Sequence, residues 1–267
     1  MSKQPFLFLL ILAACRPPAA PTTREAYEAP AGKRAVAMAF DKSQIQFLSP
    51  GDAVEVLIMV DTPRADATTD THSDVLAARA VVLRVKPDWS EGTGLASLAL
   101  SPEEAQYAAL AVEREDRLFL SKLDGEKERL KRKDLYAQPP GLEKNHRGLS
   151  VLIYPDQQEF LVPGDRVDVL STRQGYKAGG KSELTAMTLL QDVLVLRAGP
   201  PEGNEEWAAV QLMVDAEQAK LLTRAVAGED HLTLAARASG DRAKRAVAPS
   251  KMSRKLGTDA ERSSPKT

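Results

Sequence analysis

The chain has 267 residues with a formal net charge of -1, and 43% of them are hydrophobic, 27% charged and 5% aromatic. That balance gives no general pull toward nucleic acid, and so few rings argue against a stacking platform for sugars or bases. A single cysteine allows no intramolecular disulfide and leaves stability to buried apolar area, while the length suits two modest domains of ordinary globular composition.

Met1, Ser2 and Lys3 lead into an apolar run from Phe6 to Ala14 that closes as Leu12-Ala13-Ala14-Cys15. The run is shorter than the roughly 20 apolar residues that a membrane-spanning helix requires. It reads as a cleaved lipoprotein signal, residues 1–15, with Cys15 as the expected lipidation site. The opposing reading, a buried thiol in an N-terminal strand, conflicts with Arg16-Pro17-Pro18, which cannot continue a strand into a core. The likeness to Gram-negative lipoproteins implies a periplasmic, lipid-anchored protein. Arg16 stands where an aspartate commonly signals inner-membrane retention, so the outer membrane is preferred to the inner. Residues 16–32 form a Pro/Ala-rich linker.

Downstream the chain repeats itself. A shift of 113 lays Pro50-Gly51-Asp52 on Pro163-Gly164-Asp165 and matches Leu76, Val82, Leu83, Arg84 and Pro87 with identical residues. A shift of 114 lays Leu98 to Leu120 on Leu212 to Leu234, with Ala105 on Ala219 and Glu115-Asp116 on Glu229-Asp230. The expectation is two copies of one domain, 33–123 and 146–237.

Each copy is predicted to open with a strand (Ala35 to Phe40; Leu149 to Tyr154), followed by a Phe-Leu pair and a Pro-Gly turn of type II. A second strand (Asp52 to Val60; Asp165 to Leu170) precedes a polar loop, Asp61 to Asp74 or Thr172 to Glu183. The third strand (Val75 to Val85; Thr188 to Leu196) then pairs with the second. The fourth strand (Leu95 to Leu100; Ala208 to Val214) runs into a capping box, Ser101-Pro102-Glu103-Glu104 or Asp215-Ala216-Glu217-Gln218, which predicts one helix per copy. A final strand, Arg117 to Leu123 or His231 to Ala236, completes an α+β unit: two tandem similar domains, each a mostly antiparallel sheet with one capped helix. Between the copies lies a charged linker, 124–145, either extended or with a short solvated helix over Glu126 to Asp134. Residues 238–267 hold eight Lys or Arg against three acidic residues and are expected to form a disordered basic tail.

Gly175, Gly180, Lys181 and Ser182 satisfy the spacing of a phosphate-binding loop. Such a loop must join a strand to a helix, whereas the residues that follow are predicted as a strand, so a hairpin loop is the preferred reading. His72, His146 and His231 have no second ligand at a metal-binding spacing, and Asp52 and Asp165 read as turn caps. No catalytic residue, cofactor or metal site is expected.

The ordered set Arg34-Ala35-Val36, Phe47 to Leu57, Leu76 to Leu83 and Leu98 to Val112, repeated more loosely in the second copy, resembles the CpaB/RcpC family of Flp (Tad) pilus assembly proteins. That resemblance implies a non-enzymatic periplasmic assembly factor whose partners are pilus or secretion apparatus proteins, the outer-membrane secretin among them. Homo-oligomerisation stays open. The chain departs from the usual family pattern, in which an inner-membrane helix and a SAF domain precede one RcpC-like domain. A cell-wall or polysaccharide-binding lipoprotein is the alternative, and a nucleotide-binding enzyme using Lys181 is the less favoured one.

Overall fold

The computed structural model describes residues 27–63, 69–90, 92–133, 140–176, 182–198 and 207–253. In chain order these form β1 (Arg34–Asp41), α1 (Lys42–Ile45), β2 (Ala53–Pro63), β3 (Thr69–Ser90), β4 (Thr93–Leu100), α2 (Pro102–Glu113) and β5 (Arg117–Lys122). They continue with β6 (Arg147–Ile153), α3 (Pro155–Gln158), β7 (Arg166–Tyr176), β8 (Ser182–Ala198), β9 (Ala208–Val214), α4 (Ala216–Ala227), β10 (His231–Arg237) and β11 (Ser250–Ser253). The class is α+β, with a mostly antiparallel open sheet and few helices.

The strands lie in the order β5-β2-β3-β4-β1-β10-β7-β8-β9-β6, with β11 beside β8. The first five follow the same succession as the second five. β1 meets β10 through only two residue pairs, Arg34 with Arg237 and Ala35 with Ala236. One sheet thus runs through the whole described chain, with β5 and β6 as its end strands.

Local chemistry recurs at matching places. Ser101 caps α2 and Asp215 caps α4, each within a complete capping box. Both helices end through a left-handed residue, Glu115 (φ 55°) or Glu229 (φ 57°), whose following amide donates to Ala111 or Ala225. On the equivalent strands β5 and β10, the side-chain oxygen of Gln44 accepts from the Leu120 amide at 2.9 Å, and that of Gln157 accepts from the Leu234 amide at 3.3 Å.

The Pro-Gly turns take the predicted form. Gly51 and Gly164 have φ of 90° and 93°, and the carboxylates of Asp52 and Asp165 accept from the amides of Ser49 (2.8 Å) and Val162 (2.9 Å), closing each turn. A Cβ at Gly51 would stand 2.7 Å from the Glu128 carbonyl oxygen, whereas one at Gly164 meets nothing within 4 Å. Gly164→Ala should therefore cost about 1 kcal/mol from backbone strain alone. Gly51→Ala should cost about 1–3 kcal/mol more from overpacking, and paired urea melts would show equal losses if the linker contact were unimportant.

Two apolar clusters lie along the sheet. The first gathers Met38, Val54, Val82 and Leu98 with Ala105, Ala108 and Ala109 of α2, and also takes in Leu170 and Ala235 from the second half. The second gathers Val167, Val195, Leu212 and Leu234 with Leu222 of α4. The small residues on α2 let the helix lie close to the strands, and each fully buried leucine adds about 1.5–3 kcal/mol.

Two expectations need correction, and of the two readings of the linker the extended one is observed. The segments 61–74 and 172–183 are largely strand: β2 and β3 extend as a hairpin arm to Pro63 and Thr69, and β7 and β8 to Tyr176 and Ser182. These segments are polar in sequence, so they carry no apolar alternation. The linker has no helix over 126–133; it runs extended, Arg132 bridging to Tyr27, and Leu130 packs against a small cluster that includes buried Ala29. The tail is ordered through residue 253, with Ala238 and Ser250 buried and β11 paired to β8. Cys15, like 16–26 and 254–267, lies outside the described residues.

Candidate interaction surfaces

Where the halves meet, two arginines and two aspartates form a buried cluster. Arg34 opens β1 and is 2% exposed; its Nε donates to Asp168 Oδ2 on β7, and its Nη1 to Asp241 Oδ2 at 3.0 Å. From β10, Arg237 donates through Nη1 to Asp168 Oδ1 at 2.6 Å and through Nη2 to Asp241 Oδ1 at 3.1 Å. Burial works against the charge on Arg237, but Asp168 and Asp241 outweigh it and hold its pKa above the ordinary value. Burial likewise opposes ionisation of Asp241, and the Ala243 amide with the two guanidiniums overcomes it, so that carboxyl titrates below its usual range. Only hydrogen-bonded pairing makes four buried charges tolerable.

Lysines of β5 and of the linker hold the two turn aspartates: Lys122 on β5 and Lys127 reach Asp52 at 2.9 and 3.4 Å, and Lys133 pairs with Asp165 beside the cluster. Burial would raise the Asp52 carboxyl, yet Lys122, the Ser49 amide and Lys127 bring it below the usual range. The two repeated aspartates thus close turns and anchor the linker. A cleft of about 240 Å³ with a mixed lining opens beside the cluster, bounded by Tyr27, Glu28, Lys133, Val162, Asp165 and Arg242. It is smaller than the roughly 300–1,000 Å³ typical of ligand pockets.

The candidate phosphate loop falls on the β7–β8 arm. Gly175 pairs with Glu183 across an antiparallel hairpin, and no helix follows; Gly180 and Lys181 lie outside the described residues. The histidines are scattered. His72 is exposed on β3 rather than in a loop, and His146 is in the turn before β6. His231, at the start of β10, packs against Trp207 with ring centroids 5.8 Å apart and lies 3.1 Å from the Tyr154 hydroxyl. Among the described residues there is no group of three or more His, Cys, Asp or Glu that could hold a metal.

At the end of α2, Glu113 approaches His231 across the junction. Burial, with repulsion from Glu115 added, pushes the Glu113 carboxyl up to about 7 from 4.5. A carboxyl raised in the folded chain supports folding below its unfolded value and costs stability as pH climbs through the folded one. Melting temperature should therefore fall between pH 4.5 and about 7, and Glu113→Gln should flatten that fall. A residual slope from Asp156, which burial pushes to about 6, would remain. An unchanged pH profile in the variant would reject this assignment.

Sequence reasoning did not find the arginine–aspartate cluster. Its members are 134 and 69 residues apart, and the one available signal was Arg34 in the family-like Arg-Ala-Val run.

Exposed large apolar side chains are spread over the surface: Phe119 on β5, Leu152 on β6, Leu221 and Val226 on α4 and Val75 on β3, but also Phe47 after α1, Tyr107 on α2, Met187 on β8 and Leu142 before β6. Such exposed apolar side chains suit protein contacts. Among the described residues no helix is long and apolar enough to cross a membrane.

No curated protein and no solved structure matches the chain. Residues 141–240 match the model of a family described as Flp pilus assembly protein RcpC/CpaB. That span runs from the end of the linker through β10 and takes in the turn at Gly164, the capped helix α4, and Asp168, Arg237 and Gly240. Over this second half, the chain is similar to the RcpC/CpaB family of Flp pilus assembly proteins.

Proposed function

We propose that the chain is a lipid-anchored periplasmic scaffold for Flp/Tad pilus assembly, built from two copies of one RcpC-like module. The family match over residues 141–240 carries the pilus role. The case for two modules rests on the shared strand succession and on turns, caps and left-handed residues that recur 113 or 114 positions apart. The case for lipid anchoring rests on the Leu12-Ala13-Ala14-Cys15 motif.

A scaffold acts through surface. The hairpin arms and the end strands β5 and β6 offer backbone edges that accept strands from partners, and the secretin apparatus is the expected partner. The function needs no bound cofactor and no catalytic group.

Affinity purification of the tagged protein from envelope membranes should recover secretin and other pilus components. Cys15→Ala should move the protein from the membrane to the soluble fraction and abolish labelling with a radioactive fatty acid. Recovery of the wild type as a soluble, unlabelled protein without pilus components would overturn the proposal.

A further inference from the structure

The junction between the halves has two complementary sides, and the sheet ends in an unused copy of each. Within the chain, β1 and α2 supply one side, and β10, β7 and β8 the other. Arg34 reaches Asp168 on β7, and Gln106 on α2 donates to the Thr188 hydroxyl on β8 at 3.0 Å. The internal spacing makes β6 and α4 the equivalents of β1 and α2. It makes β5, β2 and β3 the equivalents of β10, β7 and β8. β6 and β5 are the two end strands of the sheet.

Burial differs between equivalents as an unfilled junction requires. β1 buries Arg34, Val36 and Ala37, while β6 leaves Arg147 and Ser150 exposed and Leu149 half-buried. β10 is buried beyond its first residue, whereas β5 alternates between exposed and half-buried, with Phe119 37% exposed. Leu152 on β6 is 59% exposed.

Individual charges at the two ends are also complementary. Arg34 corresponds to Arg147 at the β6 end, and Asp168 corresponds to Glu55, half-buried on β2 at the other end. Gln106 and Leu110 of α2 correspond to exposed Lys220 and Arg224 on α4. Thr188 corresponds to exposed Val75, whose neighbour Asp74 is exposed as well. At these equivalent points the end carrying β6 and α4 offers Arg147, Lys220 and Arg224, and the end carrying β2 and β3 offers Glu55 and Asp74, beside exposed Arg79 on β3 and Arg117 and Lys122 on β5.

We infer that the protein binds a second copy of itself head to tail, β6 and α4 of one copy seating on β5, β2 and β3 of the next. Arg147 then meets Glu55 of the next copy as Arg34 meets Asp168 within the chain. The contact is heterologous, so each added copy leaves the same two ends open, and repetition generates a ring or a filament.

Sedimentation velocity of the full-length protein in detergent, from about 1 to about 100 μM, should show concentration-dependent association. Arg147→Glu and Glu55→Arg should each weaken it by about tenfold or more, because a paired charge becomes a repelling one. The chain carrying both reversals should recover it. Arg147 is exposed, so its reversal leaves the fold intact; should Glu55→Arg fail to fold, Glu55→Gln tests that end and should also weaken association. A wild type that stays monomeric throughout would overturn the inference, as would single reversals without effect or a double variant no better than the singles.

Discussion

Asp168→Ala is expected to be among the most damaging single changes in the chain. Asp168 Oδ2 accepts from Arg34, and its Oδ1 accepts from Arg237 at 2.6 Å and from the Asp192 amide at 3.1 Å. Without it, two buried guanidiniums share the one remaining carboxylate of Asp241. Breaking a buried pair from one side costs about 3–5 kcal/mol, a large part of the roughly 5–15 kcal/mol that holds a domain folded. The melting temperature should drop by about 10 °C or more. A loss below about 1 kcal/mol in urea would mean that the cluster is solvated in solution rather than buried.

The second large effect comes from exchanging equivalent residues between the two helices. Leu110 on α2 is fully buried, one turn beyond Gln106 on the face that meets β8. Arg224 occupies the same place on α4 and is exposed. Leu110→Arg should cost about 3 kcal/mol or more, since it both removes a buried leucine and strands a charge. Arg224→Leu should change the stability of the isolated chain by no more than about 0.5 kcal/mol. Chemical denaturation of the two variants side by side checks the asymmetry, and comparable losses would show that the two helices sit in similar surroundings.

How much of this was legible depended on the range of the interaction. The Pro50-Gly51 and Pro163-Gly164 turns and the caps at Ser101 and Asp215 are contacts within about four residues, and each leaves a signature that reads directly from sequence. The core strands β4 and β9 were legible for a similar reason, because continuous apolar runs next to a cap have few alternatives. The arms were not. Thr71, His72, Ser73 and Asp74 are exposed on β3, so nothing on either face marks them as strand, and only pairing with β2 keeps them extended. Composition misled for the tail as well. Arg242, Lys244 and Arg245 suggest a solvated segment, yet Asp241 and Ser250 bind residues far back in the chain. The continuity of the sheet across β1 and β10 rests on long-range pairing that carries no local mark.

The last described residues close contacts that the first ones open. Asp241 completes the charge cluster around Arg34, and the Ser250 hydroxyl donates to buried Gln106 at 3.0 Å. As the chain emerges during synthesis, Arg34 and Gln106 leave the ribosome long before either partner exists and must wait in water, their polar groups solvated. The seam between the halves is therefore the last part to mature, and a nascent chain stalled before Asp241 would present an unfinished seam to proteases and chaperones.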